Sequence, residues 1–160
     1  MSKIANCITI RMKNRLGELL RRPGGIHKEQ AVTAAMEHIE SLRDEYTKVI
    51  PSEIEALETI IAGTGPDGIS AGEVLKLLNG AERLLVLSGT FGYPRLEAVV
   101  KSFCDFGIEM VERRITDVES LKVHLRAMWL FRTEASKVSE ADAKNVLNEL
   151  SKIHTHFKAG

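Results

Sequence analysis

The chain has little cysteine, no net charge and no long apolar run, and each absence narrows what it can be. Cys7 and Cys104 are the only cysteines in 160 residues, far apart and without metal-ligand spacing. A disulfide scaffold is excluded, and a reducing, cytoplasmic setting is the simpler expectation. Lys and Arg number 22 and Asp and Glu number 22, so the molecule as a whole lacks the basic footprint of a nucleic-acid binder. No apolar stretch reaches membrane-spanning length. Arg11, Lys13 and Arg15 interrupt any signal-peptide core at the N-terminus.

Chemical motifs are equally scarce. No Gly-rich loop leads into Lys-Ser or Lys-Thr, so a phosphate-cradling loop is missing. Neither His-Glu-x-x-His nor paired Glu-x-x-His occurs, so no metal and no cofactor is expected. The apolar stripes show no convergent polar residues, and an enzyme with chemistry in its core is not expected. Most of the five histidines read as structural or solvated. His27 stands at a helix start, His38 flanks an apolar stripe, and His124 falls at the edge of one. His154 and His156, two apart, cannot share a helix face.

What is present is helical periodicity over one domain-sized chain. Residues 1–25 form a basic arm, with Lys3, Arg11, Lys13, Arg15, Arg21 and Arg22 against Glu18. Ile8, Ile10 and Met12 alternate there as in a strand, while residues 15–22 also suit a short basic helix. A mobile arm is the plainer reading, and a contact for an acidic partner or membrane surface the sharper one. Arg22-Pro23-Gly24-Gly25 ends the arm, and residues 26–160 read as a single helical domain.

Val32, Met36, Ile39, Leu42, Tyr46 and Ile50 recur at steps of three and four, as one helix face. Pro51 interrupts this stripe, yet Ile54, Leu57 and Ile61 continue its phase. That favours one long helix kinked at Pro51. Ser52 and Glu55 have capping-box spacing, so two abutting helices are the alternative. A loop follows at 63–68, and Ser70 with Glu73 predicts a capped helix. Its core stripe is Val74, Leu77, Leu78, Ala81, Leu84 and Leu85, and a second stripe is Leu75, Asn79, Glu82 and Val86.

Gly89-Thr90-Phe91-Gly92-Tyr93-Pro94 predicts a break, with Pro94 in the first turn of the next helix. That helix faces inward with Leu96, Val99, Val100, Phe103, Phe106 and Met110. Thr116 or Asp117 caps a further helix through Leu121, Leu125 and Met128. Ser139 caps a last one, about 139–157, with Val146, Leu150, Ile153 and Phe157 inward. The expected fold is all-α, an antiparallel four-helix bundle with an additional C-terminal helix and the basic N-terminal arm.

The turn Ser88-Gly89-Thr90-Phe91-Gly92-Tyr93-Pro94 between two bundle helices resembles the histidine phosphotransfer (Hpt) domains of bacterial two-component phosphorelays. Leu42-Arg43-Asp44-Glu45-Tyr46 and Ser102-Phe103-Cys104 are similar to stretches of small stand-alone members, and the likeness covers about residues 27–131. In that family the helix before the turn carries His-x-x-Lys-Gly. Counting back from the turn, Glu82 stands at the phospho-accepting histidine, Leu85 at the lysine and Val86 at the glycine. A carboxylate does not form the N–P bond of phosphohistidine, leucine does not neutralise phosphate, and valine adds bulk where glycine admits a partner.

The resemblance therefore implies a degenerate member that is not an enzyme. It would act as an adaptor or inhibitor, binding a response-regulator receiver domain or a histidine kinase through Leu75, Asn79, Glu82, Leu85, Val86 and Gly89. The turn residues Gly89, Thr90, Phe91, Gly92 and Pro94 would be structural. Alternatives stay open: phosphotransfer through His124, a dimerisation or scaffold domain with only architectural likeness, or burial of Leu75 and Val86 beneath the C-terminal helix.

Overall fold

A computed structural model describes residues 27–133 and 138–158. The basic arm expected at 1–25 lies outside the described residues. Two compact units divide the chain, Met1–Glu37 and His38–Gly160. In the first, the described part is the start of helix α1 (Lys28–Thr47), where Val32 and Met36 are exposed.

The second unit holds the rest of α1 and five further helices: α2 (Ile50–Ala62), α3 (Ala71–Phe91), α4 (Pro94–Arg113), α5 (Val118–Phe131) and α6 (Glu140–Lys158). No strand occurs among the described residues. Helix α2 packs on α3, α3 on α4, α4 on α5, and α5 back on α2, while α6 lies against α4 and α5. The shared core joins Ile54, Leu57, Leu77, Leu84, Leu96, Phe103, Phe106, Leu121 and Met128. These are the stripes the periodicity marks, since a helix with apolar residues three and four apart must bury that face. Leu78 and Leu85, expected in the stripe of α3, pack at its margin, half-buried.

The single kinked helix expected around Pro51 is instead two helices, with a turn at Lys48 and Val49. Pro51 sits in the first turn of α2, where its missing N–H interrupts no ladder bond. The Ser52 and Glu55 capping box does not form either. Ser52 Oγ donates to Val49 O at 2.8 Å, and Val49 itself is the residue before the helix. Continuity of the apolar phase also misleads on packing, because α1 contains no buried residue.

The start of α3 follows its sequence. Ser70 Oγ accepts from Glu73 N at 3.3 Å, and the Glu73 carboxylate in turn accepts from Ser70 N at 2.8 Å. The Ser70 hydroxyl, which donates to Glu73 Oε2 at 2.6 Å, and then the Ser70 N–H draw the Glu73 carboxyl below its usual range. Its end is a correction. Gly89, Thr90 and Phe91 continue the helix, and the reversal falls on Gly92 alone, at φ 75°. Tyr93 N donates to Ser88 O at 2.8 Å, the i to i−5 bond of a left-handed helix stop. Pro94 then opens α4. Phe91 is buried and stacks on Tyr46 with ring centroids 5.8 Å apart, tying the end of α3 to α1.

Asp117, of the two candidates, caps α5, accepting from Glu119 N at 3.0 Å. Ser139 Oγ accepts from Asp142 N at 3.1 Å at the start of α6. Ala143 and Leu150 of α6 are fully covered, whereas Val146, Ile153 and Phe157 are only partly so.

Candidate functional site

The second stripe of α3 stands open. Leu75 is 52% and Val86 65% exposed, and Asn79 and Glu82 lie exposed between them. Leu85 is half-buried at the edge, and Gly89 is exposed at the end. Burial of Leu75 and Val86 beneath the C-terminal helix, the alternative left open by the sequence, does not occur, because α6 packs on α4 and α5. The reason is angular. Leu77, Leu84 and Ser88 point into the ring of helices, so a stripe two positions away along the sequence faces out.

A groove of about 520 Å³ runs beside this stripe, lined by Tyr46, Val49, Glu53, Arg83, Val86 and Leu87 together with Asn79 and Glu82. Its floor is apolar. Its rim carries the Arg83 Nη2–Glu53 ion pair at 2.7 Å. Tyr46 and Val49 are themselves exposed, so large apolar side chains from the end of α1 and from α3 meet on one side. Glu82 stands among them with no ion-pair partner among the described residues. Its charge reaches inward far enough to act on Cys104, whose thiol burial pushes up to about 11, with Asp105 and Glu82 adding to the rise. A half-buried, neutral thiol of this kind is a poor nucleophile.

Sequence reasoning missed a second cluster. Ser102 and Glu109 of α4, His124 of α5 and His154 of α6 converge, against the expectation that no polar residues meet inside the helices. They come from three helices far apart in sequence, so no local spacing announces them. The one sequence signal is a carboxylate, Glu109, placed between the core residues Phe106 and Met110.

His124 is 0% exposed, not at the edge of its stripe as expected. Its ring stacks on Phe106 with centroids 5.7 Å apart and meets Phe103 edge-on. Burial depresses its pKa from 6.5 to about 4, against the opposing pull of the Ser120 carbonyl, so the ring is neutral at neutral pH. Nδ1–H donates to Ser120 O at 2.7 Å. That fixes the tautomer and leaves Nε2 to accept the Ser102 hydroxyl proton at 3.1 Å. His154 Nε2 lies 3.1 Å from Ser102 O, which can only accept, so this nitrogen carries its proton and donates.

Glu109, 7% exposed, lies 3.6 Å from His154 Nδ1 and 3.3 Å from Arg113 Nε. Its Oε1 nonetheless lacks an aligned hydrogen bond. Serine, histidine and glutamate thus line one cleft of about 730 Å³. The Ser102 hydroxyl donates to His124 Nε2 in the direction a nucleophile donates to its base, but burial leaves that ring weakly basic, and His154 Nε2 donates rather than accepts. The cluster instead fastens α6. Arg113 Nη1 adds a bond to Phe157 O at 2.6 Å, and Arg95 binds Val138 O and Glu140.

Among the described residues no three His, Cys, Asp or Glu side chains gather closely enough to hold a metal. Among them, too, no helix is long and apolar enough to cross a membrane. Comparison of the chain with family models, with curated proteins and with solved structures finds no match.

Proposed function

We propose that the protein is a non-catalytic signalling module of Hpt type that docks a response-regulator receiver domain or a histidine kinase on the open face of α3. In this reading α2 to α5 form an antiparallel four-helix bundle, α6 is an added outer helix, and the module works in the cytoplasm. The observation that carries it is Glu82, exposed at the centre of a stripe whose ends are Leu75 and Val86 and whose flank is an apolar groove.

A patch of this build has an apolar body that a partner desolvates and one charge that orients it. Glu82 would face a basic group, in the place where the resemblance puts phosphohistidine. Leu85 and Val86, in place of lysine and glycine, leave nothing to neutralise a phosphoryl group. The module therefore competes for a partner, or bridges two, without passing phosphate on. His124 gives no support to a phosphotransfer reading, because its ring is fully covered and both nitrogens are bonded.

Titration calorimetry against receiver domains and kinase dimerisation domains of the same cell tests this. Saturable binding to one of them is expected, weakened at least tenfold by Val86→Asp and by Glu82→Lys. Absence of binding to every member of both classes refutes the reading.

A further inference from the structure

The exposed stripe of α3 reads alike in both directions. Leu75, Asn79, Glu82 and Val86 are separated by four, three and four residues. Reversing the helix about the point between Gly80 and Ala81 exchanges Leu75 with Val86 and Asn79 with Glu82. The outer pair is apolar on apolar. The inner pair is an amide, which donates, and a carboxylate, which only accepts.

A two-fold interface requires this property, because each residue must complement its symmetry mate's counterpart. Spacing of four and three is also that of the seam between helices crossing at a shallow angle. All four side chains are exposed, and Tyr46 and Val49 extend the apolar area along the groove.

We propose that this face closes a homodimer in which α3 packs antiparallel on its symmetry mate. Leu75 lies against Val86 of the partner subunit, and Asn79 donates to Glu82 of the partner subunit. Asn79 matters because the pairing otherwise brings two Glu82 carboxylates towards the axis with only like charge to meet. The proposal rests on the same open face as the docking reading but not on the identity of a docked protein. Dimer formation and docking would exclude one another, so self-association would set how much docking surface is available.

Sedimentation equilibrium of the full chain over a wide concentration range tests the dimer, with circular dichroism confirming that each variant folds. The wild type is expected to dimerise reversibly. Val86→Asp, at a surface position that folding does not need, is expected to be monomeric. Asn79→Lys, which offers Glu82 of the partner subunit a cation, is expected to dimerise about two- to five-fold more tightly.

Register is tested by disulfide capture with Cys7→Ser and Cys104→Ser in place. Leu75→Cys chains mixed with Val86→Cys chains should cross-link to each other far more than either does to itself. A wild type that is monomeric throughout, or Leu75→Cys chains that cross-link to themselves as readily, overturns the proposal. A monomer that still binds a receiver domain overturns it alone, whereas a dimer of this register that binds neither partner class overturns the docking reading alone.

Discussion

Acidification places a proton on His124 that the folded protein has no room for. The ring is fully covered, stacked on Phe106, and already bonded at both nitrogens. Its pKa falls from 6.5 to about 4 on folding, chiefly because burial penalises the charged form. The unfolded chain therefore binds the proton more readily, and stability rises with pH wherever that is true. The sign follows: the contribution is complete above the unfolded value of 6.5, declines as pH falls, and is fully lost below the folded value of about 4. A depression of this size corresponds to roughly 3 kcal/mol, of which roughly 2 to 3 kcal/mol is already lost by about pH 4.5.

Urea unfolding of the wild type and of His124→Gln at about pH 7.5 and about pH 4.5 isolates this from carboxylate titration, which both proteins share. Glutamine lowers stability at both values, because it leaves Phe103 and Phe106 poorly packed. It should also remove most of the acid-dependent part. Equal losses on acidification in the two proteins would refute the argument, as would an NMR titration of His124 with a midpoint near its ordinary value.

Two glycines should respond to alanine with opposite signs. Gly92→Ala forces a side chain into a left-handed residue and should cost about 1–2 kcal/mol in chemical unfolding, with Arg43 at 3.8 Å from the new Cβ adding no clash. Gly72→Ala, in the first turn of α3 with nothing near its Cβ, should add about 0.5–1 kcal/mol by the same measurement. Ser70→Ala removes the cap of α3 and should lower stability by about 1 kcal/mol, read as a shifted urea midpoint. Cys104, with a thiol pushed up to about 11, should alkylate with iodoacetamide at neutral pH far more slowly than it does in urea.

Local order was legible because it depends on neighbours in sequence. The capping box at Ser70 and Glu73, Pro94 at a helix start, Ser139 as a cap, a cap at Thr116 or Asp117, and the inward stripe of α4 all follow from spacing within one or two turns. Boundaries failed where the same residue types permit two outcomes. The apolar phase ran through Pro51 without showing that α1 would leave its face exposed. Gly89-Thr90-Phe91 has the composition of a turn, yet stays helical because Gly92 supplies the left-handed stop and Phe91, itself buried, stacks on Tyr46.

By itself, the sequence determined that the chain would be helical, which faces of most helices would be apolar, and that one stripe of α3 would carry Glu82 between Leu75 and Val86. Periodicity decides these, since it fixes the angle of every side chain about its own helix axis. Tertiary structure alone decided which stripe is covered. It set α6 on α4 and α5, leaving the Glu82 face open, and it brought His124, Ser102, His154 and Glu109 together from three helices. Angles about one axis say nothing of which axis lies alongside, and that choice is made by packing the whole core at once.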